Sequence, residues 1–226
     1  MPLAHRGTVY RLQGGSAHLF GVLVLSNNVW NRRMGTVGVV PVRAPASADS
    51  VWEPIFSSAP ALQARVGYLA SLSRERLLEA RFVLAPDQLA PVEQGLTDLL
   101  ALADLRRTPP QTPSAPNGSV TYPKWSEIYY AGPVINGQRK RYVVVSRDHW
   151  NAAGGVAIGV RTTSQDKTWG AAFPRIESGA ARACCGDATV FPVAGYDLEG
   201  RPNPASLEVS DMVSVARGIA DVFDLT

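Results

Sequence analysis

The stretch SNNVWN at residues 26–31 returns 120 residues later as SRDHWN at 146–151, each time directly after a strand-like apolar run. Residues 34–43, MGTVGVVPVR, and 154–163, GGVAIGVRTT, align at the same offset without a gap. A period close to half the chain, present twice, predicts two copies of one small β-rich domain. A solenoid would need three or more shorter units. Between the copies lies RRTPPQTPSAPNGS, residues 106–119, with four prolines and no apolar periodicity, which reads as an extended linker. The expected division is therefore 1–105, a linker over 106–119, and 120–226.

Each half follows one plan. The first opens with a strand at 7–12, a Gly-containing loop, and an apolar strand at 22–26. A turn through Asn31 and Gly35 leads to a strand at 36–42, and 64–73 gives a further strand pattern. A helix from Pro86 or Asp87 closes the half, with Leu89, Val92, Leu96, Leu99 and Leu100 on one stripe. In the second half, 126–132 is the opening strand, GQRKR a loop end, and 142–146 the apolar strand. Residues 154–163 and 187–197 supply later strands. The closing helix over 205–225 buries Leu207, Met212, Val215, Ile219 and Val222. The fold class expected is mainly β with C-terminal helices, an α+β arrangement repeated twice.

Bulk chemistry narrows the function classes only modestly. Of 226 residues, 46% are apolar and 18% charged, ordinary for a soluble globular protein. A formal charge of +3 and a pI near 9.0 tilt towards an anionic partner without the dense basic stripe of a non-specific nucleic-acid binder. No apolar run approaches the roughly 18–20 residues that span a bilayer, and the first residues lack the pattern of a signal peptide. Cys184 and Cys185 are adjacent and cannot staple distant parts of a fold. Reduced thiols and a cytoplasmic location are the expectation, with no membrane association. The sequence has no P-loop, no dinucleotide glycine fingerprint and no His/Cys zinc spacing, so no cofactor and no metal site are expected.

The ordered set VVVSRDHWN and VRTTSQDK in the second half, with LVLSNNVWN and LAPDQLAPVEQGLTDLL in the first, resembles the PemK/MazF toxin family, related in fold to the CcdB gyrase poison. The resemblance covers about 7–105 and 124–225. It implies two SH3-like small barrels, each with a terminal helix. It also implies that the two copies pack as an intramolecular pseudo-dimer, the family's homodimer on one chain, with an RNA groove along the interface. The activity implied is that of a metal-independent endoribonuclease, an mRNA interferase acting on single-stranded RNA. A small antitoxin would neutralise it. The linker would hold the two copies at high effective concentration, so that a monomeric chain suffices.

The family's usual pair is an Arg before the apolar strand and a Thr or Ser at the end of the next. Strict register puts Lys140 at the Arg position, flanked by Arg139 and Arg141, and puts Thr163, followed by Ser164, at the hydroxyl position. Lys is a point charge where Arg is a planar fork, although a neighbouring Arg would serve after a one-residue shift. In the first half Phe20 and Gly21 replace the Arg-Pro pair and Arg43 stands at the Thr position, so that copy reads as degenerate. Phe20 reads as packing. Arg43, His149, Arg161, Arg32 and His18 are the further candidates for RNA contact. Asn31 and Asn151 read as residues whose amides hold a turn by bonding backbone, and Trp30 and Trp150 as packing residues or base-stacking faces. Two other functions stay open: a non-catalytic nucleic-acid- or protein-binding module of the same fold, and a topoisomerase poison of the CcdB type.

Overall fold

In the computed structural model the described residues are 3–45, 52–56, 61–102, 122–135, 137–165, 170–195 and 204–225. The proline-rich segment 106–119 lies outside them. The chain divides into two compact units, one of residues 1–99, 186–188 and 219–226, the other of residues 100–185 and 189–218. Both are mainly β, with a few helices.

The first unit holds strands β1 (Thr8–Leu12), β2 (Gly21–Val24), β3 (Thr36–Arg43), β4 (Ile55–Phe56), β5 (Leu62–Ala64), β6 (Ala70–Ser73) and β7 (Leu77–Val83). They form an antiparallel sheet in the order β4-β5-β3-β2-β1-β7, with β6 also paired to β3. Every residue of β2 is buried, which is why its sequence is a continuous apolar run rather than an alternation. Gly21 is required by that packing, because a Cβ there would stand 2.5 Å from the Tyr10 carbonyl oxygen. Helix α1 (Asn28–Arg33) follows β2, and α2 (Pro86–Leu99) follows β7. Pro86 suits the first helical position, where its missing N–H costs nothing. Val92, Leu96 and Leu99 of α2 are fully buried, each contributing about 1.5–3 kcal/mol of apolar transfer.

The second unit holds β8 (Ile128–Ile135), β9 (Gln138–Val144), β10 (Val156–Thr163), β11 (Arg175–Ile176) and, apart from residues 186–188, β12 (Ala181–Pro192), in the order β11-β12-β10-β9-β8. Helix α3 (Asp148–Gly154) follows β9, and α4 (Val209–Phe223) comes last, its residues from Ile219 onward counting with the first unit. Gly155 ends α3 with φ +61°, the left-handed cap that glycine adopts without strain. Strand registers in the two units correspond. Val24 faces Val39, Leu23 faces Val40 and Val22 faces Pro41 in the first. Val144 faces Gly159, Val143 faces Val160 and Tyr142 faces Arg161 in the second, the same pairs at an offset of 120.

Several local expectations need correction. The segment around Asn31 is helix α1 and not a turn, because the Asn27 side chain caps it by accepting from the Trp30 N–H. The RKR triplet is not a loop end: Arg139, Lys140 and Arg141 all lie within β9. Residues 64–73 are not one strand but the end of β5, a 3-10 turn at Val66–Tyr68, and β6. β12 starts at Ala181, six residues before the expected 187, and ends at Pro192. Strand β7 had no expectation at all, since LLEARFV carries charges in the middle of an edge strand. Of the expected stripes, Val92, Leu96 and Leu99 of α2 and Met212, Val215, Ile219 and Val222 of α4 are buried; Leu89 is half-buried, Leu100 is buried just beyond α2, and Leu207 precedes α4 and is buried beside the Glu127–Ser206 bridge.

Candidate functional site

The repeated Ser-x-x-x-Trp-Asn motif builds the same hydrogen-bond cluster twice. The Ser26 hydroxyl donates to Asn31 Oδ1 (2.5 Å) and accepts from the Gly38 N–H (2.9 Å). Asn31 Nδ2 donates to the carbonyls of Ala4 (3.2 Å) and Ser26 (2.9 Å). In the second unit Ser146 donates to Asn151 Oδ1 (2.5 Å) and accepts from the Ile158 N–H (2.8 Å). Asn151 Nδ2 donates to the carbonyls of Pro123 (2.7 Å) and Ser146 (3.3 Å). All four side chains are fully buried. These amides bond backbone, as their sequence context implied, but from the first turns of helices. They tie the strand end, the helix and the segment before the first strand to one another. Trp30 is buried and Trp150 half-buried.

Strand geometry sorts the cations of β9. Side chains alternate across a strand, so Lys140 and Tyr142 share one face while Arg139 and Arg141 share the other. The β9–β10 register sets Tyr142 opposite Arg161. Continued along the same two strands, it sets Arg141 opposite Thr162 and Lys140 opposite Thr163. The Thr162 hydroxyl lies 3.5 Å from the Arg141 carbonyl oxygen, in keeping with that register. A one-residue shift from Lys140 to Arg141 therefore reverses the face that the cation presents. Arg139 and Lys140 are exposed, and their side chains make no ion pair or hydrogen bond among the described residues. Thr163 Oγ1 accepts from the Gln165 N–H (3.1 Å), which leaves its own O–H to donate elsewhere. Ser164 is exposed just beyond β10.

Arg141 is already engaged. Its guanidinium pairs with the Glu177 carboxylate, and the Glu177 N–H donates to Asp211 Oδ2 at 2.8 Å. Glu177 holds φ +54°, a left-handed conformation that non-glycine residues rarely adopt. The Asp211 carboxylate at the start of α4 holds it there. Sequence reasoning missed Glu177, which sits 36 residues from its partner with no motif around it.

In the first unit the positions of the Lys140–Thr163 pair hold Phe20 and Arg43. Phe20 packs: its ring centroid lies 6.1 Å from that of Phe82. The Arg81 guanidinium stands 4.4 Å from the centre of its ring. Arg43, at the end of β3, pairs with Glu53 (3.6 Å), and the same carboxylate accepts from Arg65 Nε at 2.8 Å. Arg65 lies over the Tyr68 ring, 3.8 Å from its centroid. Arg65, Arg81 and Tyr68 carried no sequence signal, because their relation to Arg43 arises only when β3, β5 and β7 are placed in one sheet.

The remaining candidates are dispersed. His18 is exposed in the loop before β2, Arg32 is exposed in the last turn of α1, and His149 is exposed on α3. Arg161 is half-buried on β10, on the face of Tyr142. The Asp148 carboxyl beside His149 is pushed above its ordinary range by burial, opposed by the Trp125 N–H and by the charges of Lys124 and His149. The Tyr129 hydroxyl is raised well above the usual phenol range by burial and by its hydrogen bond to the Glu127 carboxylate. Among the described residues no three His, Cys, Asp or Glu side chains gather in a way that could hold a metal ion. Cys184 and Cys185 are buried thiols on β12 that form no disulfide. No described helix is long and apolar enough to cross a membrane.

No family model matches the sequence, and no curated protein matches it. Solved structures do. An endoribonuclease in complex with its cognate antitoxin from a mycobacterial species matches with 20% identity and a TM-score of 0.38, over 42% of this chain and 91% of that one. The MazE-MazF structure from Deinococcus radiodurans matches with 12% identity and a TM-score of 0.40, over 47% of this chain and 100% of that one. The Mycobacterium tuberculosis toxin MazF-mt6 matches with 14% identity and a TM-score of 0.37, over 44% of this chain and 98% of that one. These toxin endoribonuclease structures are what the chain is similar to, over a little under half its own length and nearly all of theirs.

Proposed function

We propose that the protein is a metal-independent endoribonuclease of the PemK/MazF kind, cutting single-stranded RNA at a site in its second unit. One observation carries this reading. Lys140 and Thr163 fall on adjacent strands, on one face and opposite each other in the continued register. Those are the positions where the resemblance calls for a cation and a hydroxyl. Cleavage without a metal proceeds by attack of the ribose 2′-oxygen on phosphorus as the bond to the 5′-oxygen breaks. The 2′-hydroxyl gives up a proton and the departing 5′-oxygen gains one, leaving a 2′,3′-cyclic phosphate and a 5′-hydroxyl. The Lys140 ammonium offers charge and three donors to the non-bridging oxygens of the crowded phosphate. Thr163, which accepts from the Gln165 N–H and keeps its own O–H to donate, directs that O–H to the same oxygens.

The reading extends to the arrangement and partners of the chain. The two copies act as a pair within one polypeptide, joined by the segment 106–119, so activity per chain does not vary with protein concentration. An acidic, extended antitoxin segment suits a cationic site. The alternative is an RNA-binding module that does not cut. It is favoured by the replacement of the family's Arg in both copies, by Lys140 in one and Phe20 in the other.

The test is cleavage of an end-labelled single-stranded RNA by purified protein in EDTA, with product ends analysed. Lys140→Ala and Thr163→Ala are expected to lose about 100-fold or more in rate, the loss typical of removing one stabilising donor. Arg139→Ala, on the opposite face, is expected to keep most of it. Undiminished cleavage by Lys140→Ala refutes the assignment. RNA binding without any cleavage by the unmodified protein selects the alternative.

A further inference from the structure

The end of β3 in the first unit gathers groups that the cleavage site does not use. The Phe20 N–H donates to the Val42 carbonyl (2.9 Å), Arg43 faces Gln63 on β5, and the Arg65 N–H donates to the Pro41 carbonyl (2.9 Å). Two backbone hydrogen bonds thus bring Phe20 and Arg65 to the end of β3, where Arg43 stands. Arg81 arrives over the Phe20 ring, and Tyr68 lies under Arg65. Two guanidinium groups, those of Arg43 and Arg65, share one carboxylate, Glu53, and that of Arg81 is a third cation beside Phe20. Arg81 is exposed, and its side chain makes no ion pair among the described residues. The Nε of Arg43 is buried with no hydrogen-bond partner among the described residues, an unmet donor that is costly in the free protein.

We infer that this cation–aromatic strip is a binding site for single-stranded nucleic acid, and that the first unit anchors the strand which the second unit cuts. The division of labour rests on the proposed endoribonuclease reading; the strip itself requires only that the protein bind RNA. Its chemistry suits an unpaired strand more than a duplex. Phosphates meet planar guanidinium forks. Unstacked bases find a π-face on Tyr68 or Phe20, or on the guanidinium groups beside them. Nothing in the strip depends on base identity, so it supplies affinity without sequence preference. The excess of two positive charges favours a polyanion over a neutral or basic peptide.

The test measures binding of a fluorescein-labelled single-stranded RNA to the full chain in the Lys140→Ala background, so that cleavage does not interfere. Arg81→Ala and Arg65→Ala are each expected to weaken binding about tenfold, the scale of one lost stacking or guanidinium contact. Each is also expected to lower the slope of log K against log salt by about 0.7, one phosphate contact on a single strand. Arg65→Lys, which keeps the charge facing Glu53, is expected to recover the slope but only part of the affinity. Because Arg81 is exposed and makes no ion pair, its variant retains the fold even if Arg65→Ala does not.

Unchanged affinity and salt slope in Arg81→Ala and Arg65→Lys overturn the strip while leaving cleavage at Lys140 intact as a reading. Equal affinity for a duplex of the same length overturns it as well. If the Lys140→Ala protein binds no RNA, the strip falls; if the unmodified protein also cuts none, the functional reading falls with it.

Discussion

Replacing Asn151 by alanine removes three hydrogen bonds from a site that water does not reach: one from the Ser146 hydroxyl and two to the carbonyls of Pro123 and Ser146. Each buried polar group left without a partner costs about 1–3 kcal/mol. Two of the three groups are backbone carbonyls, of Pro123 before β8 and of Ser146 between β9 and α3, and the third is a hydroxyl that still has to serve the Ile158 N–H. A loss of about 3–5 kcal/mol follows, a large share of the roughly 5–15 kcal/mol that holds a domain together. Asn31→Ala is expected to cost the same within about 1 kcal/mol, because the first unit repeats every one of these bonds. A chain with two units does not have one well-defined unfolding free energy, so the assay is native-state hydrogen exchange read at the Ile158 and Gly38 amides. Each variant should lose protection at its own amide. Ser146→Ala combined with Asn151→Ala should cost less than the sum of the two, with a coupling of about 1–2 kcal/mol. A loss below about 1 kcal/mol at Ile158, or additive single changes, refutes the claim that the repeated motif is a buried polar staple.

Two other perturbations read the fold directly. A Cβ at Gly186 would fall on the Trp30 ring and one at Gly38 on the Phe223 ring, each pair within the first unit. Gly186→Ala and Gly38→Ala are therefore expected to destabilise by at least about 1–3 kcal/mol, the usual cost of overpacking; unchanged urea midpoints would contradict that packing. Asp148, whose carboxyl is raised chiefly by burial, binds its proton more tightly when folded than when unfolded. Its contribution to stability is full below the unfolded value and falls as pH rises through the folded one. The difference in stability between the native protein and Asp148→Asn should therefore shift against the native protein as pH climbs from the ordinary Asp value. A flat difference across that window contradicts the assignment.

Much of the architecture was legible before any coordinates. Paired strands, helix stripes and the 120-residue echo all follow from local periodicity, and burial selects for that periodicity residue by residue. Strand β7 escaped notice because an edge strand carries charges where an interior strand carries Val and Leu. The Ser-x-x-x-Trp-Asn motif was visible as a repeat, but its position in a helix was not. A six-residue helix has too little periodicity to announce itself, and a side-chain cap starts it.

By itself the sequence showed two stretches that echo each other at an offset of 120, which cations and hydroxyls they carry, and that Phe20 and Arg43 stand at the positions of Lys140 and Thr163. Only the tertiary structure decided which face each cation takes, separating Lys140 from Arg139 and Arg141 by strand alternation. It alone brought Glu177 to Arg141, and Glu53 to Arg43 and Arg65. The physical reason is range. Alternation and helical pitch act between near neighbours along the chain, whereas a charge finds its partner through strand register, which is set by the whole sheet and leaves no mark on either residue alone.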